Sequence, residues 1–256
     1  EGVTFEEGSV MTHLGQMHLL EDIYTPTDSG KEWYSLQKGF TDAYIFANTP
    51  ALQTVVLPEN LTVIGLNVFE NSGVAKMEMP ATVATIADYA FKNCDGLTEL
   101  EFSTDLIFLG KESFYDCDNL AKADIPMSLE ALGSLAFAYC EKLKAAKLTS
   151  LEYSIPKAAF SNCLELSSLE MSDSIESIGE RAFYCCTALE TVTINGGAIG
   201  TSAFANCTSL SSLTLGSSVT KIGNSAFSGC TALGDFDMTH LRSIGNTAFS
   251  GCESLT

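Results

Sequence analysis

The chain has 256 residues, 46% of them hydrophobic and 18% charged, which is the balance of a folded protein rather than a disordered one. Its formal net charge is −19, from 13 basic and 32 acidic side chains, and this argues against nucleic acid as a partner, because phosphate binding needs a basic footprint. No apolar stretch reaches the ~18 residues of a helical membrane span.

In chain order, two regions are expected. The first is 1–45, a degenerate first repeat followed by an insertion or irregular cap over 16–45, where Pro26, Gly30 and Trp33 interrupt any pattern. The second is 46–256, where one phrase returns throughout. A phenylalanine falls at 46, 69, 91, 114, 137, 160, 183, 204, 227 and 249, in steps of 21 to 23 residues. A period this constant means that each coil stacks on the last and that the stack, not the single coil, closes a core. We expect about nine to ten coils. The chain opens at Glu1 and stops at Thr256 part-way through a repeat, so it reads as part of a longer protein.

One coil, residues 210–230, shows the parts. Leu213 and Leu215 alternate with Ser212 and Thr214, the period of a half-buried strand. Gly216-Ser217-Ser218 makes a turn, and other coils place Pro58, Pro80 or Pro126 there. Val219 and Ile222 face inward along a second extended segment, and Gly223 is expected to relieve a tight corner. Asn224 or Ser225 could cap a short helical turn, on which Phe227 and Cys230, three apart, share a buried face. Some coils depart from the pattern: Thr49 and Ser72 stand where Cys is expected, and two further coils are irregular. The step 183–204 is short and carries Gly196-Gly197, and the coil over 137–160 replaces Ile-Gly with Ile155-Pro156. Both are expected to be local irregularities on the turn side.

The phrases Leu210-Ser-Ser-Leu-Thr-Leu, Val219-Thr-Lys-Ile-Gly and Ser225-Ala-Phe-Ser-Gly-Cys-Thr-Ala-Leu233 resemble the bacterial BspA-like leucine-rich repeat family, also called the Treponema-type leucine-rich repeats. The match covers residues 46–256. Val3-Thr-Phe-Glu-Glu-Gly-Ser9 and Met11-Thr-His-Leu14-Gly15 also resemble that family's strand, turn and Ile-Gly segment. The resemblance implies a leucine-rich-repeat solenoid, a right-handed curved array of ~23-residue coils. Each coil would carry a concave-face strand, a second short extended segment and a short helical turn.

Nine cysteines are present, and eight keep the register: Cys94, Cys117, Cys140, Cys163, Cys186, Cys207, Cys230 and Cys252. One per coil suits a small buried residue. It does not suit a zinc site, and side chains pointing the same way fit disulfide geometry badly. Cys185 stands out of register. Free buried thiols are expected, with disulfides as the alternative.

Nothing in the chain points to catalysis, a metal or a cofactor. His13, His18 and His240 sit in no Cys/His/Asp cluster, Asp116-x-Asp118 lacks the rest of a calcium loop, and no nucleophile elbow or phosphate loop is present. Asn60-Leu-Thr62 and Asn206-Cys-Thr208 match the short glycosylation acceptor.

The regular surface is the strand face. Strand residues alternating with core leucines must point outward, and in leucine-rich repeats these line the concave side. After Thr54 and Val56 the row runs Lys76, Glu78, Glu99, Glu101, Lys122, Asp124, Ala145, Lys147, Ser168, Glu170, Thr191, Thr193, Ser212, Thr214, Asp235 and Asp237. For any one of these, an ordinary solvated strand residue is the simpler reading. As a whole face, binding is the better one. It has no aromatics, which argues against sugar stacking. Charge is also uneven: 1–182 hold 28 acidic and 11 basic residues, and 183–256 hold 4 and 2.

Three functions follow as expectations. The family resemblance implies a secreted or cell-surface bacterial protein that adheres to a host, matrix or other bacterial protein through the solenoid face. A structural stalk presenting another domain is the second. A carbohydrate-binding module or enzyme, using Asp235 and Asp237 with a cation, is the third, with glycan as its partner.

Overall fold

The computed structural model describes residues 44–151 and 154–256 throughout. Before them it describes the backbone of four short strands, Gly2–Thr4, His13–Leu14, Tyr24–Thr27 and Gly30–Trp33. The chain winds as a parallel-strand solenoid. In each coil the alternating segment pairs with its equivalent one repeat away, so that Thr54 lies opposite Lys76, Glu99 opposite Lys122, Ala145 opposite Ser168 and Thr191 opposite Ser212. Gly2–Thr4 pairs in parallel with Thr54–Val56, and His13–Leu14 with Val63–Ile64. Tyr24–Thr27 and Gly30–Trp33 pair antiparallel.

The second segments stack into two five-stranded parallel sheets. One runs from His13–Leu14 to Ala131–Leu132 and the other from Ser154–Ile155 to Ser243–Ile244. The break has a covalent cause. In the regular coils the residue after this segment donates its N–H to the preceding coil, as in Gly133 N to Leu109 O at 2.7 Å and Gly179 N to Ile155 O at 2.8 Å. Between them the position holds Pro156, which has no N–H to give. The irregularity foreseen there therefore falls on the ladder itself. The shorter 183–204 step is taken up in the turn, with Gly197 at φ 87°, and Ala198–Ile199 keeps its place in the sheet.

The expected helical turn is not formed, and no helix occurs among the described residues. Instead the segment around each phenylalanine from Phe69 onward is a run of tight turns with two left-handed residues, two before and two after the ring. In one coil these are Glu112 (φ 51°) and Asp116 (φ 59°), in another Ser202 (φ 54°) and Asn206 (φ 62°). The physical reason lies in the donors. Alternate amides bond within the coil, as Tyr115 N to Glu112 O, while Glu112, Phe114 and Asp116 give their N–H to Ser134, Ala136 and Ala138 of the next coil. A helix would consume those donors internally and leave the coils joined only by side chains. Ser225 is correspondingly no cap but one of the left-handed residues (φ 52°), and Asn224 Oδ1 accepts the N–H of Asn246 in the next coil.

The role expected for Gly223 also changes. A Cβ there would lie 2.6 Å from the carbonyl carbon of Gly200, and at Gly133 it would lie 2.3 Å from Gly110 C and Lys111 N. These glycines allow the coils to approach, rather than relieving a corner.

The ten phenylalanines form one continuous ladder. Successive ring centroids lie 5.0–5.6 Å apart with interplanar angles of 2–14°. The rings from Phe69 to Phe227 are fully buried. Beside them run the leucines and the cysteines, whose thiols are all free. The cysteine is more than a small apolar residue. Each in-register Sγ–H donates to the phenylalanine carbonyl of the preceding coil at 3.0–3.2 Å, as Cys163 does to Phe137 O. That carbonyl also accepts its own coil's Cys140 N, so both lone pairs of a buried oxygen are used. Thr49, at the cysteine position of the first described coil, turns its hydroxyl to the Phe46 carbonyl instead.

Candidate functional site

The strand face is built by alternation. Leu100, Ala123, Ala146, Val192 and Leu213 point into the core, and the residues either side of each are forced outward. All sixteen residues expected to form the face, from Lys76 to Asp237, are exposed. Parallel pairing sets them in rows, with Glu101 beside Asp124, Lys147 beside Glu170 and Thr193 beside Thr214.

Electrostatics divides the face. Lys122 Nζ lies 3.0 Å from Asp124 and 3.9 Å from Glu101, and Lys147 lies 3.7 Å from Glu170. The hydrogen bond to Asp124 holds the Lys122 ammonium above its ordinary value. Solvent screens exposed pairs of this kind, so they contribute little to stability and order the surface more than they hold the fold. Among the described residues Lys76, Glu78 and Glu99 form no ion pair. The later coils present the hydroxyls of Ser168, Thr191, Thr193, Ser212 and Thr214.

Asp235 and Asp237 are exposed but lie beyond the last regular strand of this face, Ser212–Leu215, so the strand expected through them is absent. Their carboxylates compete with a ladder by bonding to nearby backbone. Asp235 accepts from Thr256 N and Thr256 Oγ1, both at 2.9 Å, and Asp237 accepts from Thr239 N at 2.8 Å. These bonds hold both carboxyls below the usual aspartate range. No grouping of three or more His, Cys, Asp or Glu suited to a metal occurs among the described residues.

The aromatics missing from the strand face are on the turn edge. Lys92 Nζ sits over the rings of Tyr89 (5.3 Å) and Tyr115 (4.9 Å) and pairs with Glu112 at 2.7 Å. Lys111 lies over Tyr89 and donates to its hydroxyl at 2.8 Å. Tyr115 and Tyr139 are 5.2 Å apart, and Tyr139 is 38% exposed. This cluster was missed because its members are scattered in sequence. They align only once each is counted from its own phenylalanine: Lys111 three before, Tyr89 and Glu112 two before, Lys92 and Tyr115 one after, Tyr139 two after.

The described residues include no helix long and apolar enough to cross a membrane. A family model for the BspA type leucine rich repeat region matches residues 41–163 and 142–256, in six copies. No curated protein matches the chain. Among solved structures, a leucine-rich repeat protein from Bacteroides ovatus is 24% identical, with a TM-score of 0.52 over 81% of this chain and 72% of that one. The T. pallidum leucine rich repeat protein is 27% identical, with a TM-score of 0.53 over 56% of this chain and 68% of that one. A leucine rich cell surface protein from Faecalibacterium prausnitzii is 27% identical, with a TM-score of 0.46 over 76% and 60%.

Proposed function

Given that the chain belongs to the BspA-type leucine-rich repeat family, we propose that it is a non-enzymatic protein-binding array whose strand face, from Lys76 to Thr214, takes the surface of another protein. The observation that carries this is the face itself: a succession of exposed side chains, nearly all polar, which neighbouring strands pair in register two by two and which the core does not use. Extended solenoid surfaces of this kind bind along many coils at once. The first coils carry a small acidic excess, Glu78, Glu99, Glu101, Asp124 and Glu170 against Lys76, Lys122 and Lys147, with Glu78 and Glu99 outside the ion pairs, which favours a partner with a basic patch. The reading extends to a secreted or cell-surface location and to adhesion, both suggested by the family.

The test is a binding screen of the chain against immobilised matrix, plasma and bacterial surface proteins, with glycans as a separate arm. A saturable protein hit supports the reading. Binding to glycans alone would replace it with a carbohydrate-binding role. No hit from folded protein would favour a stalk that holds another domain away from the cell.

A further inference from the structure

Along the turn edge, the left-handed position two residues after each phenylalanine builds a second ladder. In the first described coils it is asparagine: Asn48 (φ 56°), Asn71 (φ 56°) and Asn93 (φ 57°). Each side chain reaches the one before. Asn71 Nδ2 donates to Asn48 Oδ1 at 3.0 Å, and Asn93 Nδ2 donates to Asn71 Oδ1 at 2.7 Å. The backbone repeats in step, with Asn71 N on Lys92 O, Asn93 N on Tyr115 O and Asp116 N on Ala138 O. The next member of the series is therefore Asp116 (φ 59°), where the amide is replaced by a carboxyl. An ionised carboxylate has no hydrogen to give. Correspondingly, Asn93 Oδ1 is buried and has no hydrogen-bond partner.

We propose that Asp116 continues the ladder as a neutral carboxyl, its O–H donated to Asn93 Oδ1, so that one coil-to-coil contact in this solenoid is made by taking up a proton. The surroundings favour that form. Asp118 of the same coil, within hydrogen-bond reach, Asp95 of the preceding coil and Glu141 of the following coil face Asp116, together with the phenol of Tyr115. Among the described residues no cation pairs with Asp116. The nearby ammonium groups are engaged, Lys92 with Glu112 and Lys142 with Asn119 Oδ1. Burial, then Asp118 and Asp95, push the Asp116 carboxyl above its ordinary range. The sign follows from linkage. Where the folded chain binds a proton that the unfolded chain does not, stability rises as the pH falls through the folded midpoint. The gain is complete below the ordinary aspartate range. At neutral pH the contact is missing and the carboxylates repel.

Asp116→Asn supplies a permanent donor at the same left-handed site. Urea unfolding of the full chain is followed from about pH 8 down to about pH 3.5, through the ordinary aspartate range. D116N should unfold at higher urea than the wild type at the alkaline end, with the gap closing towards the acid end. Asn93→Gly keeps the backbone conformation and removes the acceptor. In that background D116N should lose most of its pH-dependent advantage, and the carboxyl 13C titration of Asp116 should move to lower pH. A gap that does not change with pH would overturn the proposal, as would an Asp116 titration unmoved by N93G. The latter would assign the effect to repulsion by Asp95 and Asp118 alone.

Discussion

Replacing Phe137 by alanine should be among the most damaging single changes in the chain. Its ring is fully buried, stacked at 5.3 Å on Phe114 and 5.4 Å on Phe160, and met edge-on by Phe102 at 6.4 Å. Truncation removes its transfer energy and leaves a cavity that the coils above and below, held by backbone ladders, can only partly close. Together these cost about 3–5 kcal/mol, or about 6–20 °C in Tm for a chain of this size. Phe249 is a fair comparison, because it is only partly buried and has one ladder neighbour, Phe227 at 5.6 Å. F249A should cost about half as much. Phe137→Leu should cost less than about 1.5 kcal/mol, since most of the volume is kept. The assay is urea unfolding followed by circular dichroism. In a linear array a weak central interface uncouples the halves, so F137A should also broaden the transition. If F137A costs no more than F249A, or less than about 1 kcal/mol, the ladder is not a principal source of stability and the reasoning fails.

Other predictions rest on separate features. Gly133→Ala places a Cβ against the backbone of Gly110 and Lys111 and should cost about 1–3 kcal/mol. Gly234→Ala meets only Ser211 O at 3.6 Å and should fall within about 0.5 kcal/mol of wild type in the same unfolding assay. In native protein a maleimide should react first with Cys185, which is partly exposed. Cys252 should follow slowly, since burial raises its thiol to about 11. Burial pushes the thiols of Cys94, Cys117, Cys140, Cys163 and Cys186 up, so these should label only on unfolding, as mass spectrometry would show. Rapid labelling of all nine without unfolding would contradict the buried S–H ladder.

Much of this architecture is legible in the sequence because it is periodic. The phenylalanine register announces the stack, and the alternation around Leu100 or Leu213 announces which strand residues face out. The turns were misread for a specific reason: Phe227 and Cys230, three apart, share a face equally well in a helical turn and in successive tight turns. The distinguishing signal was present at the position two after the ring, where Asn48, Asn71, Asn93, Asp116, Asn162, Asn206, Gly229 and Gly251 recur. Asparagine, aspartate and glycine are the residues that tolerate a left-handed backbone. Pro156 likewise marked the break in the second sheet, but only to a reader who knew that its position donates an N–H to the coil before. The thiol bonds were not legible, since each depends on a carbonyl 24 to 26 residues away. The face was legible as a surface. Its partner was not, because alternating strand residues encode exposure and charge, not the shape they meet.

The most direct test of the account locates binding on the solenoid. Take the partner found by the screen and measure its affinity for wild type, for a strand-face reversal (Glu99→Lys, Glu101→Lys, Asp124→Lys and Glu170→Lys) and for a turn-edge variant, Tyr139→Ala with Glu141→Lys. The account predicts that the strand-face reversal weakens binding at least about tenfold, which is about 1.4 kcal/mol, with a reduced dependence on salt. The turn-edge variant should bind as wild type does. Undiminished affinity of the folded strand-face reversal, with loss in the turn-edge variant, would place the binding surface on the wrong side of the coil and contradict the account.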